Sequence, residues 1–395
     1  MLPDEYSQKP SQMNHTAIYD KYVTGKNFIG RKTECNGLAN LLDKGEHVAI
    51  YEPPKAGKTS LIQQSLFNMK VEGKDFLAGQ FSLLNIRTLP DFLRKFASTL
   101  LRMTGTTAQE FAAYIEKYLG GTHFTFDEER FGETEECVSL TDRPDAGDIA
   151  ALLRFPYRLA EDRGMRIFLI MEEFQNILFP DEGEELLAAM RNVMKEEAEG
   201  ARLFSYILTG SMVNAMKEIF EVRRFFGRMV ERVKLMPVDE REITDHAIKG
   251  FLSNGKVTDK ELILGACSLF KNNLWYINHF IAVCDSLSMG YIMSPVLLEA
   301  LDAVISVHKP RFVAIMNDLT TFQVNLLRAI TDGRTLLSGS ETVRLYGLNS
   351  SANVKRVKEA LMKKEIIIFN EKNEPEIIDP LFEYWVRKYY FEKKD

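Results

Sequence analysis

Along this chain the spacing of apolar residues changes period several times, and each change marks an element. After Phe28-Ile29-Gly30-Arg31, apolar positions at Leu38, Leu41 and Leu42 recur at helical spacing and predict an amphipathic helix that Gly45 ends. His47 to Tyr51 is an apolar run of strand length, and after Glu52 to Thr59 the helical period resumes to about Met69. Phe81 to Ile86 predicts a second strand, followed by a helix from near Leu89. Ile149 to Asp162 predicts a helix containing Pro156, a residue that kinks helices. Arg166 to Met171 is almost continuously apolar, as a strand covered on both faces must be. A helix at Glu184 to Glu197 precedes a strand at Leu203 to Leu208, and Arg232 to Leu235 supplies a last one. Strands alternating with helices imply an α/β fold with a doubly wound parallel sheet, whose chemistry lies at the strands' C-terminal ends.

Two stretches depart from this alternation. Thr104 to Gly147 mixes a helical piece, Ala108 to Tyr118, with an acidic, turn-rich stretch from Asp127 to Asp145, and is expected to be a surface insertion with a mobile loop. After Pro237 the strands stop. Helical pieces at Glu240–Leu252, Asp259–Phe270 and Asn273–Ser288 predict an all-helical lid. Helices at Thr320–Thr331, Gly339–Leu345 and Ser351–Lys364, then Ile366 to Ile368, a turn at Asn373-Glu374 and Ile377-Ile378, outline a winged helix-turn-helix. The expected division is an N-terminal extension at 1–26, an α/β core at 27–236 with its insertion at about 104–147, a lid at 237–308 and a winged-helix domain at 309–395.

Composition narrows the partners. With 395 residues several domains are expected, and a net charge of −6 gives no global attraction to nucleic acid or anionic membrane. Cys35, Cys137, Cys267 and Cys284 form no C-x-x-C pair, which disfavours a structural zinc site or a disulfide framework. Met1 to Lys26 has no apolar core, so it does not read as a secretory signal, and no apolar run reaches membrane-spanning length. A cytoplasmic protein is expected. On the third winged-helix helix, Lys355, Arg356 and Lys358 offer phosphate contacts, against the plain alternative of a solvated face. Phe382, Tyr384, Trp385, Tyr389, Tyr390 and Phe391 are expected to pack the last helix against the α/β core.

The chemistry concentrates after the first strand. Phosphate binding needs backbone N–H groups aimed at the anion, a helix N-terminus behind them, a lysine, and a hydroxyl for a metal. The loop Pro54-Lys55-Ala56-Gly57 followed by Lys58, Thr59 and Ser60 meets this description. Gly57 lets the backbone approach the phosphates, Lys58 reaches the β- and γ-phosphates of ATP, and Thr59 ligates Mg²⁺. Glu52 breaks the G-x-x-x-x-G-K-[ST] pattern at its first position. A carboxylate beside a polyphosphate repels it unless turned outward or paired with a cation such as Lys55. Glu172 and Glu173 follow the apolar strand; Glu172 is assigned to the metal and Glu173 to the attacking water. Thr209 and Ser211 end the neighbouring strand and suit hydrogen bonds to the γ-phosphate or the water.

Taken in order, Phe28-Ile29-Gly30-Arg31 with Glu34, Gly57-Lys58-Thr59, Ile170 to Gln175, Ile207 to Ser211 and Asp379 to Trp385 resemble the archaeal-type ATPase family, a STAND branch of the AAA+ P-loop NTPases, here as a bacterial member. The resemblance spans about Phe28 to Trp385 and implies an αβα sandwich, a helical lid and a C-terminal winged helix. It also implies that Gly30 and Arg31 lie near the adenine, that Thr209 is the sensor-1 residue, and that Arg228 approaches the γ-phosphate. The family's metal-binding aspartate is Glu172 here, and its lid turn is Lys271-Asn272-Asn273, so no lid residue is nominated. The expected activity is an ATP-dependent switch with slow hydrolysis to ADP. A non-hydrolysing adaptor and an ATP-dependent DNA-binding regulator are the alternatives, and a protein partner and an oligomeric state stay open.

Overall fold

The computed structural model describes residues 17–392. Residues 1–16, which include Tyr6 and His15 of the expected N-terminal extension, and residues 393–395 lie outside the described residues. The described chain divides into two compact units: Lys32–Glu52 with Gln64–Leu235, and residues 17–31 with Pro53–Gln63 and 236–392.

In chain order the elements up to Leu235 are α1 (Lys32–Asp43), β1 (His47–Tyr51), α2 (Lys58–Val71), β2 (Phe76–Ser82), α3 (Leu89–Thr104), α4 (Ala108–Leu119), β3 (Phe124–Phe126), α5 (Glu128–Glu133), β4 (Val138–Leu140), α6 (Ala146–Arg163), β5 (Arg166–Glu172), α7 (Gly183–Glu196), β6 (Phe204–Gly210), α8 (Val213–Lys217) and β7 (Val230–Arg232). The first unit is built on a parallel sheet of order β2-β5-β6-β1-β7. Ile207 pairs with Val48 on one side and Ile170 on the other. Ile167 to Met171 and Phe204 to Leu208 are buried throughout, which is why these strands read as unbroken apolar runs. The strand ending in Glu172 is therefore separated from β1 by β6, whose own end carries Thr209.

Several expectations shift. The last strand is Val230–Arg232, earlier than the expected Arg232 to Leu235, and Val257–Thr258 pairs with Tyr291–Ile292 inside the stretch expected to be all-helical. β2 lies five residues earlier than its apolar run: the Leu83 N–H makes a last bond to Glu172 O of β5, and Ile86 then closes a turn onto Leu83. Within β2, Gly79 pairs with Leu169, and Met103 and Thr99 of α3 pack against it and leave no room for a side chain. The stretch expected as a mobile loop forms α5 and an antiparallel β3–β4 hairpin, with Phe124 opposite Leu140. Its core is local: Phe111 of α4 meets the edges of Phe126 and Phe131, and Cys137 and Val138 are wholly buried. α6 continues through Pro156; an Asp145/Asp148 capping box starts it and left-handed Gly164 stops it.

The second unit continues with α9 (Glu240–Ser253), β8 (Val257–Thr258), α10 (Lys260–Leu269), α11 (Leu274–Leu287), β9 (Tyr291–Ile292), α12 (Ser294–Asn317), α13 (Thr321–Thr331), α14 (Ser340–Leu345), α15 (Ser351–Lys363), β10 (Ile367–Phe369), β11 (Pro375–Ile377) and α16 (Pro380–Trp385). α13, α14, α15 and the β10–β11 hairpin, in which Ile367 faces Ile377, form the winged helix-turn-helix. α12 runs unbroken through Pro310, so the division expected between residues 308 and 309 falls inside a helix. Lid and winged helix also share one core. Phe382 and Trp385 of α16 pack on Phe312 of α12, with ring centres 5.5 and 5.6 Å apart. Asp379 caps α16, accepts the Tyr276 hydroxyl of α11 at 2.9 Å and pairs with Arg311 of α12. The expectation that the terminal aromatic residues pack against the α/β core is corrected: Phe382 and Trp385 pack on Phe312 of α12 within the second unit.

One polar residue in the sheet makes a measurable prediction. His47 Nδ1 accepts the Tyr206 N–H at 3.0 Å and Nε2 lies 3.2 Å from the Tyr157 hydroxyl. Enclosure of the ring pushes its pKa down to about 3. The folded state therefore keeps His47 neutral while the unfolded state protonates it below about 6.5, so stability from this group is complete above that pH and is lost as pH falls toward 3. The loss is at most about 1.4 kcal/mol per pH unit. In chemical denaturation at pH 7.5, 6 and 5, wild type should lose more stability than His47→Gln; equal slopes would remove His47 as the cause.

Candidate nucleotide site

β1 is buried from Val48 to Tyr51, so the chain reaches polar surroundings only at Glu52. The Glu52 carboxylate accepts the Leu235 N–H at 3.3 Å, just past β7. The next residues, Pro53 to Gln63, fall in the second unit. Ala56 N donates to Pro53 O at 3.3 Å, and Lys55 and Gly57 adopt left-handed backbone, with φ of 65° and 93°. The loop thereby curls back on itself and leads into the N-terminus of the 14-residue α2. The Lys58 ammonium donates to Pro53 O at 3.0 Å, across the mouth of the curl. Ser60 Oγ accepts the Val23 N–H at 3.1 Å, which ties the segment before α1 to the start of α2.

Arg31 braces this loop. Its Nη1 donates to Ala56 O at 2.7 Å and its Nε to Met236 O at 3.3 Å. The φ of Gly57 favours glycine there, and a Cβ would stand 2.8 Å from Arg31 Nη1, so the guanidinium would have to shift. Gly30 is likewise left-handed and lies against Val238 and Glu242. Lys55 carries its ammonium 3.1 Å above the centre of the Trp275 ring on α11. Desolvation, then the nearby Arg311 charge, lowers the Lys55 pKa. The lid turn bends at Lys271 and Asn272, with φ of 49° and 57°; Asn273 then caps α11 through the Trp275 and Tyr276 N–H groups.

In the first unit the ends of β1, β6 and β5 lie along one sheet edge, in register through Tyr51–Gly210 and Met171–Leu208. Glu172 is the last residue of β5, and Glu173 turns the chain with φ 53°. Glu173 Oε2 accepts Gln175 Nε2 at 2.6 Å and Ser211 Oγ at 2.5 Å. Thr209, buried, pairs with Ile50. Of the crowded arginines, Arg223 pairs with Glu184 at 2.8 Å, Arg224 Nε donates to Glu221 O, and Arg232 pairs with Glu221. Arg228 is exposed and makes no such bond among the described residues.

Comparison with known proteins bears on the fold. A Walker-type ATPase of Pyrococcus abyssi is similar over 95% of this chain and 100% of that chain, at 18% identity and a TM-score of 0.66. The chain has the fold of a P-loop ATPase. The Aeropyrum pernix ORC2 protein in ADPNP–ADP complexes is similar over 93% of this chain and 98% of its own, at 13% identity and a TM-score of 0.55. Its ADP form gives 13% identity, 89% and 91% coverage and a TM-score of 0.52. Residues 310–388 match the family model described as "Probable winged helix domain", and no curated protein sequence matches the chain. Among the described residues, no helix is long and apolar enough to cross a membrane.

Within this P-loop fold the nominated residues fall into two groups. Gly30, Arg31 and Pro54 to Ser60 belong to the second unit; Glu172, Glu173, Thr209 and Arg228 belong to the first. The sequence expectation sets Arg31 beside the adenine, and its guanidinium is bonded to the loop backbone. Gln175 and Trp275 were not nominated. The sequence signal for Gln175 is its place at the end of the Ile170 to Gln175 motif, two positions after Glu173, and for Trp275 its place just after the lid turn. The bracing of Gly57 predicts a coupling. Gly57→Ala should cost about 1–2 kcal/mol in denaturant unfolding from the left-handed φ. Combined with Arg31→Ala, it should cost less than the sum of the two single changes; strict additivity would deny the contact.

Proposed function

We propose that this chain binds ATP with Mg²⁺ at Pro54 to Ser60 and acts as a nucleotide-dependent switch that hydrolyses ATP slowly to ADP and phosphate. The observation that carries the reading is Lys58, whose ammonium rests on the loop's own Pro53 carbonyl at the head of a long helix. That carbonyl is a weak stand-in for a phosphate oxygen, and an anion there meets a cation, a helix N-terminus and a glycine-permitted approach together. The names of similar structures, a Walker-type ATPase and an ADPNP–ADP complex, agree with it. Glu52, bonded to Leu235 N–H, has a backbone partner, which supports an anion being tolerated nearby.

The roles follow from the chemistry. Gly30 and Arg31 position the loop, and Lys55, Ala56, Gly57 and Ser60 surround the phosphates. The Thr59 hydroxyl and the Glu172 carboxylate are hard oxygen donors of the kind Mg²⁺ accepts, and would hold it. Bound there, Mg²⁺ supplies charge neutralisation for the polyphosphate. Glu173 takes a proton from the attacking water as its oxygen bonds to the γ-phosphorus and the bond to ADP breaks. Thr209 orients the water, and Arg228, exposed and unengaged among the described residues, is the arginine for the γ-phosphate. The switch is supported inside the second unit. The Lys55–Trp275 contact joins the phosphate loop to α11, and Tyr276 on the next position shares Asp379 with Arg311 of α12. Phosphate competing for Lys55 would alter that link.

DNA is not included. On α15, Lys358 lies 4.0 Å over Phe369 and Arg356 donates to Asn353, which leaves Lys355 alone without a partner among the described residues.

Lys58→Ala should abolish ATP binding in equilibrium dialysis. Glu173→Gln should retain binding and lower turnover by about 10²–10⁴-fold. Binding that ignores Lys58 sinks the site; binding with no turnover in wild type leaves the non-hydrolysing adaptor.

A further inference from the structure

The Glu173 carboxylate is held unevenly. Both donors reach one oxygen, Oε2: Gln175 Nε2 at 2.6 Å and Ser211 Oγ at 2.5 Å. Oε1 has no hydrogen-bond partner among the described residues. The orientation of the Gln175 amide follows from this contact, because only its NH₂ can donate to a carboxylate. Gln175 Oε1 is then the far end, and it is buried without a partner, on a side chain that is 7% exposed.

Several features keep Gln175 in place. It sits in a short 3₁₀ turn, Phe174–Leu178, that follows the left-handed Glu173. Phe174 and Ile177 are buried on either side, and Asn176 Nδ2 donates to Leu83 O at 3.3 Å. Opposite, a Cβ at Gly210 would stand 2.6 Å from Gln175 Oε1 and closer still to Met216. Glycine at the end of β6 thus admits the amide and places Ser211 one residue on, facing the same carboxylate. A buried acceptor left unsatisfied costs free energy, so a position retaining one calls for a physical reason.

We propose that Gln175 and Ser211 are positioning residues that pin Glu173 Oε2 and leave Oε1 as the atom that receives the water's proton. The inference rests on the reading of Glu173 given above. As the water oxygen bonds to the γ-phosphorus, its proton passes to Oε1, and the electron pair of the breaking P–O bond leaves with ADP. Neither Gln175 nor Ser211 gains or loses a proton; each fixes the rotamer of the group that does.

The experiment measures turnover and ATP affinity for Gln175→Met, Ser211→Ala and Ser211→Thr, in wild type and in Glu173→Gln. Gln175→Met and Ser211→Ala should each lower kcat about tenfold or more, as loss of a hydrogen bond to a charged group does, with the ATP Kd held within about twofold. Ser211→Thr, which keeps the hydroxyl, should restore the rate. In Glu173→Gln none of these changes should lower the residual rate further. Equal losses in both backgrounds, or unchanged kcat in wild type, overturn the proposal while leaving Glu173 as the base. If Glu173→Gln itself turns over normally, that role fails and this inference with it. The Ser211 series decides the matter alone should Gln175→Met not fold.

Discussion

The structure depends on three parallel strands that have no exposed face. β1, β5 and β6 are buried along almost their whole length, so water and polar side chains are excluded from the sheet's interior. Polar chemistry is pushed to the strand ends, where Glu52, Glu172, Glu173 and Ser211 appear in adjacent strands. The order β5-β6-β1 inserts β6 between the acidic strand and the loop strand, which sets Thr209 beside Ile50 and Ser211 against Glu173. Among the exceptions inside the sheet, His47 is partnered by Tyr206 and Tyr157, whereas Ser205 Oγ and the Tyr206 hydroxyl are buried without a hydrogen-bond partner among the described residues.

Close approach, more than charge, sets the local geometry. Gly57 and Gly210 are each pressed by one polar side chain, Arg31 and Gln175 respectively, and neither could carry a Cβ without displacing it. Both glycines precede or end elements that bring functional groups to an edge. The second unit repeats the logic at Lys271-Asn272, where two left-handed residues turn the lid into α11 and present Trp275 to Lys55. Lid and winged helix then continue as one body through α12, with Arg311, Tyr276 and Asp379 joining the helices that flank it.

The sheet was legible because burial on both faces leaves an apolar run that no surface element shares, as at Arg166 to Met171. The loop after β1 was legible because Gly57-Lys58-Thr59 follows such a run and opens a helix. What escaped was set by tertiary contacts. β2 escaped in part because its middle residue is Gly79, packed against Met103, which interrupts the apolar pattern of a strand. The β3–β4 hairpin was hidden because its acidic surface outweighs one cluster around Phe111. α12 passes unbroken through Pro310, where the match to the winged-helix family model also begins. Gln175 closes the Ile170 to Gln175 motif with no role read for it, and Arg31 is expected near the adenine; only their contacts, with Glu173 and with the loop backbone, give them the roles described.

The central claim is that a polyphosphate occupies the head of α2. A crystal structure with a non-hydrolysable ATP analogue and Mg²⁺ tests it most directly. The account predicts phosphate density against the backbone of Ala56 to Thr59, with the Lys58 ammonium moved from Pro53 O onto a phosphate oxygen and the metal at the Thr59 hydroxyl. An analogue bound elsewhere, or a loop unchanged with Lys58 still on Pro53 at saturating analogue, would contradict it.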